Sequence, residues 1–249
     1  MFDKVPTPIR DQFWRIKHLI ISWFARKGLA EYLQGLIQQQ IDVLSVTVVL
    51  DVGANDGQYA RMLRRLGYRG RIISFEPLPE NIDRLEEQAR LDPLWTVVPV
   101  ALGDQETELA MNVMAQSEFS SFLNPNRFGA TEFPDGMRVA KRQSVDVRRL
   151  DALLPELVPE AAAENIHLKL DTQGFDIRVL RGCESCIEQL CSLQLEVSFI
   201  GIYEGEQGGV DMLEMVRGLG FFLTGMFPVS RDGSLRVIEA DCLFRRVPT

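Results

Sequence analysis

Strand-like and helix-like segments alternate along the chain from Val46 onward, and this alternation limits the fold more than any other feature. VTVVLDV, RIISFEP and WTVVPVAL are apolar runs typical of buried strands. The amphipathic segments DGQYARMLRRLGY and ENIDRLEEQARL separate them and have helical periodicity. Because parallel strands need a long crossover between them, the sequence predicts a βαβαβ unit, with a mostly parallel sheet covered by helices on both faces.

The second half of the chain continues the alternation after an irregular interruption. NIHLKLDTQG and SLQLEVSF predict a fourth and a fifth strand, and FDIRVLRGCESCIEQL predicts a helix between them. FFLTGMF and EADCLFRRV predict an antiparallel pair that closes the sheet edge. Residues 117–136 are rich in Ser, Asn, Gly and Pro, and such a long irregular segment inside a domain indicates a functional or disordered loop.

Composition excludes several classes of protein. The chain has 249 residues, enough for one sizeable domain, and a formal net charge of −8, which argues against a nucleic-acid partner. No apolar run approaches the ~20 residues that cross a bilayer. HLIISWFA lacks the flanks of a signal peptide, so we expect a cytoplasmic protein. The four cysteines lack the spacing of a zinc site, and we expect ordinary thiols.

The first 40 residues have a pattern of their own. Residues 9–40 have helical periodicity, with basic side chains on or beside the face opposite the apolar one. We therefore predict a helical N-terminal extension over 1–40, followed by one domain over 41–249. We favour a helical cap packed on that domain over the alternative, a basic amphipathic segment that contacts a membrane or a partner protein.

The stretch VVLDVGANDGQY carries the most specific chemical signal. Gly53 and Gly57 bracket a tight turn that opens a helix, where free N–H groups can meet a ligand. A triphosphate is disfavoured because Gln58 follows Gly57 where a P-loop needs lysine. Asp51 and Asp56 would repel the pyrophosphate of a dinucleotide. They suit S-adenosylmethionine, a ligand that carries an ammonium and a sulfonium.

Glu76 ends the second strand, 25 positions after Asp51, where an acid can hydrogen-bond both hydroxyls of a ribose. Such an acid fits NAD as well as S-adenosylmethionine, so an NAD-dependent oxidoreductase is the alternative on the same fold. A non-catalytic module that binds a membrane or partner through its N-terminal helix is a third hypothesis. The carboxylates of the glycine turn favour S-adenosylmethionine.

Eight motifs follow one another in order over roughly 46–246: DVGANDGQY, SFEPLPEN, VPVALGD, the two serines of EFSSF, RRLDALL, LKLDTQGFDIRVLRG, LEVSFIGIYEGE and EADCLFRR. Together they resemble the FkbM family of S-adenosylmethionine-dependent methyltransferases. The resemblance implies a Rossmann-like class I methyltransferase fold, with a mostly parallel seven-stranded sheet and an antiparallel edge strand. It also implies O-methylation of a hydroxyl on a sugar, glycan or polyketide-type natural product.

The resemblance also implies roles for individual residues. The methionine part of the donor would be lined by four residues of the glycine turn: Asp51, Gly53, Asn55 and Gly57. Glu76 would hold the ribose, Pro77 would shape the turn after it, and Asp104 would lie near the adenine. Asp171 would face the transferring methyl group and the acceptor. The chain departs from the family at Thr172-Gln173, where another acid is common, and Asp176 would partly replace that charge.

Methyl transfer to an alcohol needs a base that takes the hydroxyl proton. Asp171 is the first candidate, although it could instead orient the donor's ammonium. Glu196, at the end of the fifth strand, is the second, with pairing to Lys169 as its alternative. The two histidines, His18 and His167, lie away from the motifs or in an apolar strand, so a histidine base is not expected. The sequence lacks a tight cluster of metal ligands, and we predict no metal.

Two segments are candidates for binding the acceptor. Ser120 and Ser121 lie in the irregular loop and could contact a polyol, although a loop of this composition can also be a surface turn. Tyr203 and Glu204 follow the fifth strand at the predicted active end of the sheet. No motif identifies the acceptor itself.

Overall fold

The structure is a computed structural model that describes residue 28 and residues 31–247. The predicted membrane or partner contact of the N-terminal segment depends mostly on residues 1–27, which lie outside the described residues. Within the described range, no helix is both long and apolar enough to cross a membrane.

The described residues form two sheets and the helices that cover them. The strands are β1 (Val48–Val52), β2 (Arg71–Phe75), β3 (Trp95–Val98), β4 (Ala101–Leu102), β5 (Thr107–Met114), β6 (Val139–Arg148), β7 (Ile166–Leu170), β8 (Leu190–Ser198), β9 (Phe221–Arg231) and β10 (Val237–Arg246). The helices are α1 (31–43), α2 (Gln58–Arg65), α3 (Pro79–Ala89), α4 (Arg127–Glu132), α5 (Leu150–Leu157), α6 (Asp176–Arg181) and α7 (Gly209–Gly218).

The main sheet has seven strands in the order β3-β2-β1-β7-β8-β10-β9. Strands β3, β2, β1, β7 and β8 pair in parallel, whereas β10 is antiparallel to both of its neighbours. The predicted α/β class and the antiparallel pairing at the edge are confirmed. The structure adds that the reversed strand is β10, one position inside the sheet, and that β9 forms the edge itself.

Helices cover both faces of this sheet, as the alternation predicts. On one face, residues of α1, α2 and α3 pack on the sheet around Val49 and Ile72. On the other face, residues of α5, α6 and α7 pack around Leu50 and Leu168. Every residue of β1 and β7 is buried. These two central strands are therefore fixed from both sides, and their carboxyl ends form a rigid platform.

Helix α1 spans the predicted boundary between residues 40 and 41. Ile37 and Ile41 are buried in the core on one face of the sheet, and Gln40 Nε2 donates to the Phe244 carbonyl at 3.1 Å. The described part of the segment thus packs directly on the sheet of the main domain.

Two predicted elements end earlier than expected. The run WTVVPVAL divides at Pro99, because proline cannot donate to the ladder: β3 stays in the main sheet and β4 joins a second one. The helix predicted from Phe175 to Leu190 stops at Arg181. A Cβ atom on Gly182 would lie 2.0 Å from the Gly103 carbonyl oxygen, so the chain is held against the neighbouring loop there.

The second sheet, in the order β4-β6-β5, supports the irregular loop. That loop contains the short helix α4, which the sequence did not predict, capped by Asn126 Oδ1 accepting from Gly129 N at 2.8 Å. Isolated bridges pair Asn112 with Ser121 and Pro125 with Tyr203. The loop is thereby fixed next to the segment that follows β8.

Candidate active site

A cavity of about 310 Å³ lies where the parallel strands of the main sheet end. Its walls come from residues after β1, β2 and β7, from the end of β8, from the second sheet and loop, and from the β9–β10 hairpin. Ligands bind outside the carboxyl ends of strands in open α/β sheets, and this cavity occupies that place.

Gly53 and Asn55 of the glycine turn line the cavity. Gly53 has φ +73°, and a Cβ atom there would lie 2.0 Å from the backbone oxygen of Asp171. Only glycine lets the turn after β1 approach β7 so closely. Gly57 has φ +84°, but its missing Cβ would meet Leu85 and Trp95, so it serves the packing of α2 instead of the cavity wall.

Glu76 is a buried carboxyl group on the cavity wall, 4% exposed. Its oxygens accept hydrogen bonds from Asn55 N at 2.9 Å, Leu78 N at 3.0 Å and Asn81 Nδ2 at 3.2 Å. Burial raises the pKa of Glu76 to about 6, against the opposing effect of these donors. The side chain therefore connects the glycine turn to the start of α3 and presents an acceptor at the end of β2.

Lys169 lies between two carboxylates at the ends of the central strands. Its Nζ is 3.3 Å from Asp51 Oδ1 and 3.4 Å from Asp171 Oδ2. Burial lowers the pKa of Lys169, but Asp171 and Asp51 outweigh it and the net shift is upward. Asp51 is fully buried, which raises its pKa, and does not line the cavity. The Lys169 ammonium and Asp51 Oδ1 form an ion pair without the geometry of a hydrogen bond. Asp51 Oδ1 therefore has no hydrogen-bond donor among the described residues.

Asp56, the second carboxylate of the sequence argument, lies outside the cavity wall. Its Oδ1 forms an ion pair with Arg61 Nη2 at 3.1 Å. Asp51 and Asp56 are thus both paired with cations, and neither faces the ligand space directly. The acidic character of the cavity comes from other residues, which the spacing of the turn does not reveal.

Gln173 connects the candidate catalytic residues to the loop. Its Nε2 donates to Asp171 Oδ1 at 2.9 Å and to Glu196 Oε2 at 3.2 Å. Its Oε1 accepts from the Tyr203 hydroxyl at 2.9 Å, and its backbone oxygen accepts from the Ser121 hydroxyl at 2.6 Å. Gln173, the third residue after β7, adopts the left-handed conformation with φ +53°. A neutral amide at this position contacts both carboxyl groups at once.

Glu196 lines the cavity beside Asp171. Burial, followed by the neighbouring carboxyls of Glu239 and Asp171, holds the pKa of Glu196 well above its usual value. Glu239 also lines the cavity, and burial raises its pKa to about 7. Burial likewise raises the pKa of Asp241 to about 6. Several carboxyl groups therefore lie at or beside this end of the cavity, and burial favours the neutral form of Glu196, Glu239 and Asp241.

The predicted acceptor residues fall in different places. Ser120 lines the cavity, although its Oγ also accepts from Met114 N at 3.1 Å. Ser121 and Tyr203 are buried behind the wall, where both support Gln173. Glu204 is exposed outside the cavity and accepts from Asn124 Nδ2 at 3.4 Å.

Of the remaining predicted residues, one lines the cavity and the others lie away from it. Pro77 lines the cavity next to Glu76. Asp104 lies outside the wall, where its Oδ2 pairs with Arg178 Nη1 at 2.9 Å. His167 is fully buried, with Nδ1 2.7 Å from the Ser192 hydroxyl and Nε2 3.2 Å from the Tyr59 hydroxyl. Burial lowers its pKa to about 4, so it is a core residue and not a base near the cavity.

Sequence reasoning missed Gln173 as a connecting residue, and it missed Glu239 and Ser230 altogether. Gln173 was visible only as a departure from the family pattern. Glu239 lies with Asp241 among apolar residues of the last strand, and acids in such a context are themselves a signal, because buried carboxyl groups are uncommon without a role.

The cavity suits S-adenosylmethionine in its chemistry. Glu76 offers an acceptor at the end of β2, where a ribose acid is expected. Among the described residues that line the cavity none is Lys, Arg or His, and the carboxyl groups there complement a cationic ligand. In the described part of the chain no cluster of three or more Asp, Glu, His or Cys could hold a metal ion.

The sheet order, the glycine turn and the acidic cavity are those expected of a class I methyltransferase fold with a site for S-adenosylmethionine. The chain belongs to the FkbM methyltransferase family, because the model of the methyltransferase FkbM domain matches residues 51–223. This membership decides between the two enzyme hypotheses in favour of methyl transfer over NAD-dependent oxidation.

Individual proteins agree with this membership. The chain is 26% identical to the 2-O-methyltransferase NoeI of Sinorhizobium fredii, over 80% of this chain and 79% of that protein. It is 23% identical to the hexuronic acid methyltransferase AglP of Haloferax volcanii, over 75% and 66% respectively. A methyltransferase FkbM structure from Methylobacillus flagellatus superimposes with a TM-score of 0.50 at 14% identity and shares the fold. The match covers 80% of this chain but 43% of that longer chain.

Proposed function

We propose that this methyltransferase transfers a methyl group from S-adenosylmethionine to a hydroxyl oxygen of a carbohydrate, free or as part of a glycan or glycosylated natural product. The observation that carries the proposal is the continuous cavity from Glu76, past Asp171, to Glu196 and Glu239. One end offers a ribose-type acceptor group, and the other offers hydrogen-bonding side chains beside the candidate base. The relative AglP is a hexuronic acid methyltransferase, which supports the carbohydrate class, and the relative NoeI is a 2-O-methyltransferase, which supports transfer to oxygen.

The donor half of the site would comprise the residues after β1 and β2. Gly53 and Asn55 would contact the methionine part, Glu76 the ribose, and Ala101 and Leu102 an apolar slot for the adenine. When bound, S-adenosylmethionine supplies an electrophilic methyl group on a positively charged sulfur. The carboxyl groups around the cavity would stabilise that positive charge.

Asp171 is the group that we assign as base. It is partly exposed and lines the cavity, and both of its oxygens are held, one by Gln173 and the other by Lys169. Asp171 would take the proton of the acceptor hydroxyl as the new carbon–oxygen bond forms. Glu196, with its raised pKa, would stay protonated and would hydrogen-bond the acceptor instead of accepting its proton.

The acceptor half would use apolar and polar surfaces together. Phe119 and Phe133 line the cavity with ring centroids 5.3 Å apart, and Ser230 and Glu239 add polar groups. An aromatic surface with a few convergent polar groups can bind a sugar, which has an apolar ring face and a rim of hydroxyls. The hydrogen bond from Gln173 would fix the position of the Asp171 carboxylate relative to a sugar bound on this surface.

The proposal is tested with the purified full chain. Calorimetry with S-adenosylmethionine should give one site, and Glu76→Ala should weaken it more than about tenfold, because the ribose would lose its acceptor. Glu80→Ala, four residues along on the exposed start of α3, is the matched control and should bind normally.

Transfer of a radiolabelled methyl group to a panel of neutral and acidic glycosides then tests the acceptor class. Product that is lost in Asp171→Asn, with donor affinity retained, would support the assignment. Methylation of phenols or amines with no glycoside product would overturn the carbohydrate class, and normal donor binding by Glu76→Ala would overturn the donor site.

A further inference from the structure

The acceptor end of the cavity is lined by carboxyl groups, and no cationic side chain lines it among the residues that the structure describes. Glu118, Asp171, Glu196 and Glu239 contribute to its wall, and no Lys, Arg or His does so among the described residues. Lys169 stands behind Asp171, where Asp51 and Asp171 both contact its ammonium. Its charge is therefore already compensated within the protein.

The β9–β10 hairpin contributes the outermost part of this wall. Glu239 and Ser230 are paired across the two strands, and Ser230 Oγ donates to Glu239 Oε2 at 3.0 Å. The register shifts on both sides of Glu239, and Ile238, Glu239 and Ala240 are all buried. Such irregularities redirect side chains, and here the result is a carboxyl group facing the cavity.

An anionic acceptor would meet this wall unfavourably. Proteins recognise carboxylate, phosphate and sulfate groups mainly with arginine, lysine or clustered N–H donors, since a buried anion needs compensation. A uronate placed beside Glu196 and Glu239 would meet two buried acids, and no described residue of the wall supplies a counter-cation. A neutral saccharide offers hydroxyls that can both donate to and accept from the same carboxyl groups.

The geometry points to an uncharged saccharide as the acceptor, with Glu239 as a specificity-determining residue that rejects acceptors carrying a carboxylate, phosphate or sulfate. This inference rests on the proposed carbohydrate function and narrows it. The acceptor of this chain would then differ in charge from that of AglP, which is named as a hexuronic acid methyltransferase. Nothing in the wall requires the acceptor to be free or attached to a larger glycan.

The test compares glycosides that differ only in charge. We would measure methyl transfer to 4-nitrophenyl glucoside against the glucuronide, and to the galactoside against the galacturonide. The wild-type chain should prefer the neutral member of each productive pair by about a hundredfold in kcat/KM, because a carboxylate buried at this wall has no cation to pair with among the described residues. Glu239→Gln should narrow this ratio to about tenfold, chiefly by improving the uronate, and Glu239→Lys should narrow it further.

Glu214→Gln, on the exposed face of α7, is the matched control and should leave the ratio unchanged. Wild-type methylation of a uronate as fast as its neutral partner would overturn the inference, as would an unchanged ratio in both Glu239 variants.

Failure of the proposed function gives a different result: donor binds, but no glycoside of either charge is methylated. Saturation-transfer NMR on protein loaded with S-adenosylhomocysteine, with an equimolar mixture of glucoside and glucuronide, then decides the charge preference by itself. Stronger signals from the glucoside support the inference, whereas equal or stronger signals from the glucuronide overturn it.

Discussion

The ammonium of Lys169 lies 3.4 Å from the carboxylate of Asp171, at the point where the central strand β7 ends and the cavity begins. Asp51, one strand away, contacts the other side of the same ammonium at 3.3 Å. The pairing of β1 with β7 places Asp51 directly opposite Lys169, so the sheet register fixes the whole arrangement. One buried cation is thereby shared by two acids, of which only Asp171 reaches the cavity.

Lys169→Met should destabilise the protein strongly. The substitution leaves Asp51 and Asp171 without their shared counter-charge, and removal of one partner from a buried ion pair costs about 3–5 kcal/mol. Urea unfolding measures the loss. Lys141→Met removes an exposed partner of Glu80, 2.7 Å away, and should cost far less, because solvent screens this pair. An equal loss of unfolding free energy in the two variants would show that the buried ion pairs of Lys169 stabilise the protein no more than the exposed pair.

Gly53→Ala and Gly205→Ala should separate the cost of a positive φ from the cost of filling a close backbone contact. Both positions have nearly the same positive φ, +73° and +72°, so alanine at either costs about 1–2 kcal/mol of backbone strain. At Gly205 the new Cβ meets no atom within 4 Å, whereas at Gly53 it would lie 2.0 Å from the Asp171 oxygen. Gly53→Ala should therefore lose additional stability and donor affinity in unfolding and calorimetry. Similar behaviour of the two variants would contradict the close approach of β1 and β7.

Asp171→Asn and Glu196→Gln should differ in turnover, although both are near-isosteric. Loss of a general base lowers turnover by about 10²–10⁴, and Asp171→Asn is expected in that range with donor affinity retained. Burial keeps the Glu196 carboxyl in its neutral form, so a neutral amide there should lower turnover by less than about tenfold. Single-turnover methylation of the best glycoside measures both. The reverse order would assign the base to Glu196.

The stability of the donor-free protein should fall as pH rises from about 5 to 8. Folding raises the pKa of Asp241 from 3.8 to about 6 and that of Glu239 from 4.5 to about 7, mainly through burial. Acids with raised pKa values bind protons more tightly when folded, so their stabilisation is complete below the unfolded values and is lost as pH passes through the folded ones.

Thermal melts at intervals across this range measure the slope, and the double variant Glu239→Gln/Asp241→Asn should flatten it. Asp135→Asn, an exposed acid in the loop after α4, is the control and should leave the slope as it is. A melting temperature that rises steadily toward pH 8 would contradict the raised pKa values.

The alternation of apolar runs and amphipathic segments was enough to predict the parallel core, because strand and helix periodicities are local properties of the chain. The same logic failed at Pro99 and Gly182, where contacts with distant segments end an element that local propensity would continue. The short helix α4 lay inside a segment that local composition marked only as irregular.

In the site, the glycine turn, the acid after β2 and the acid after β7 were predictable from sequence, since each lies at a strand end that periodicity predicts. Which of the carboxyl groups face the cavity depends on how the chain folds. Asp51 and Asp56 are adjacent to the turn in sequence, yet Lys169 and Arg61 pair with them, while Glu239, from the far end of the chain, lines the wall. The physical reason is that ion pairing and burial depend on neighbours brought together by sheet order and strand irregularities, and a single local stretch of sequence does not contain them.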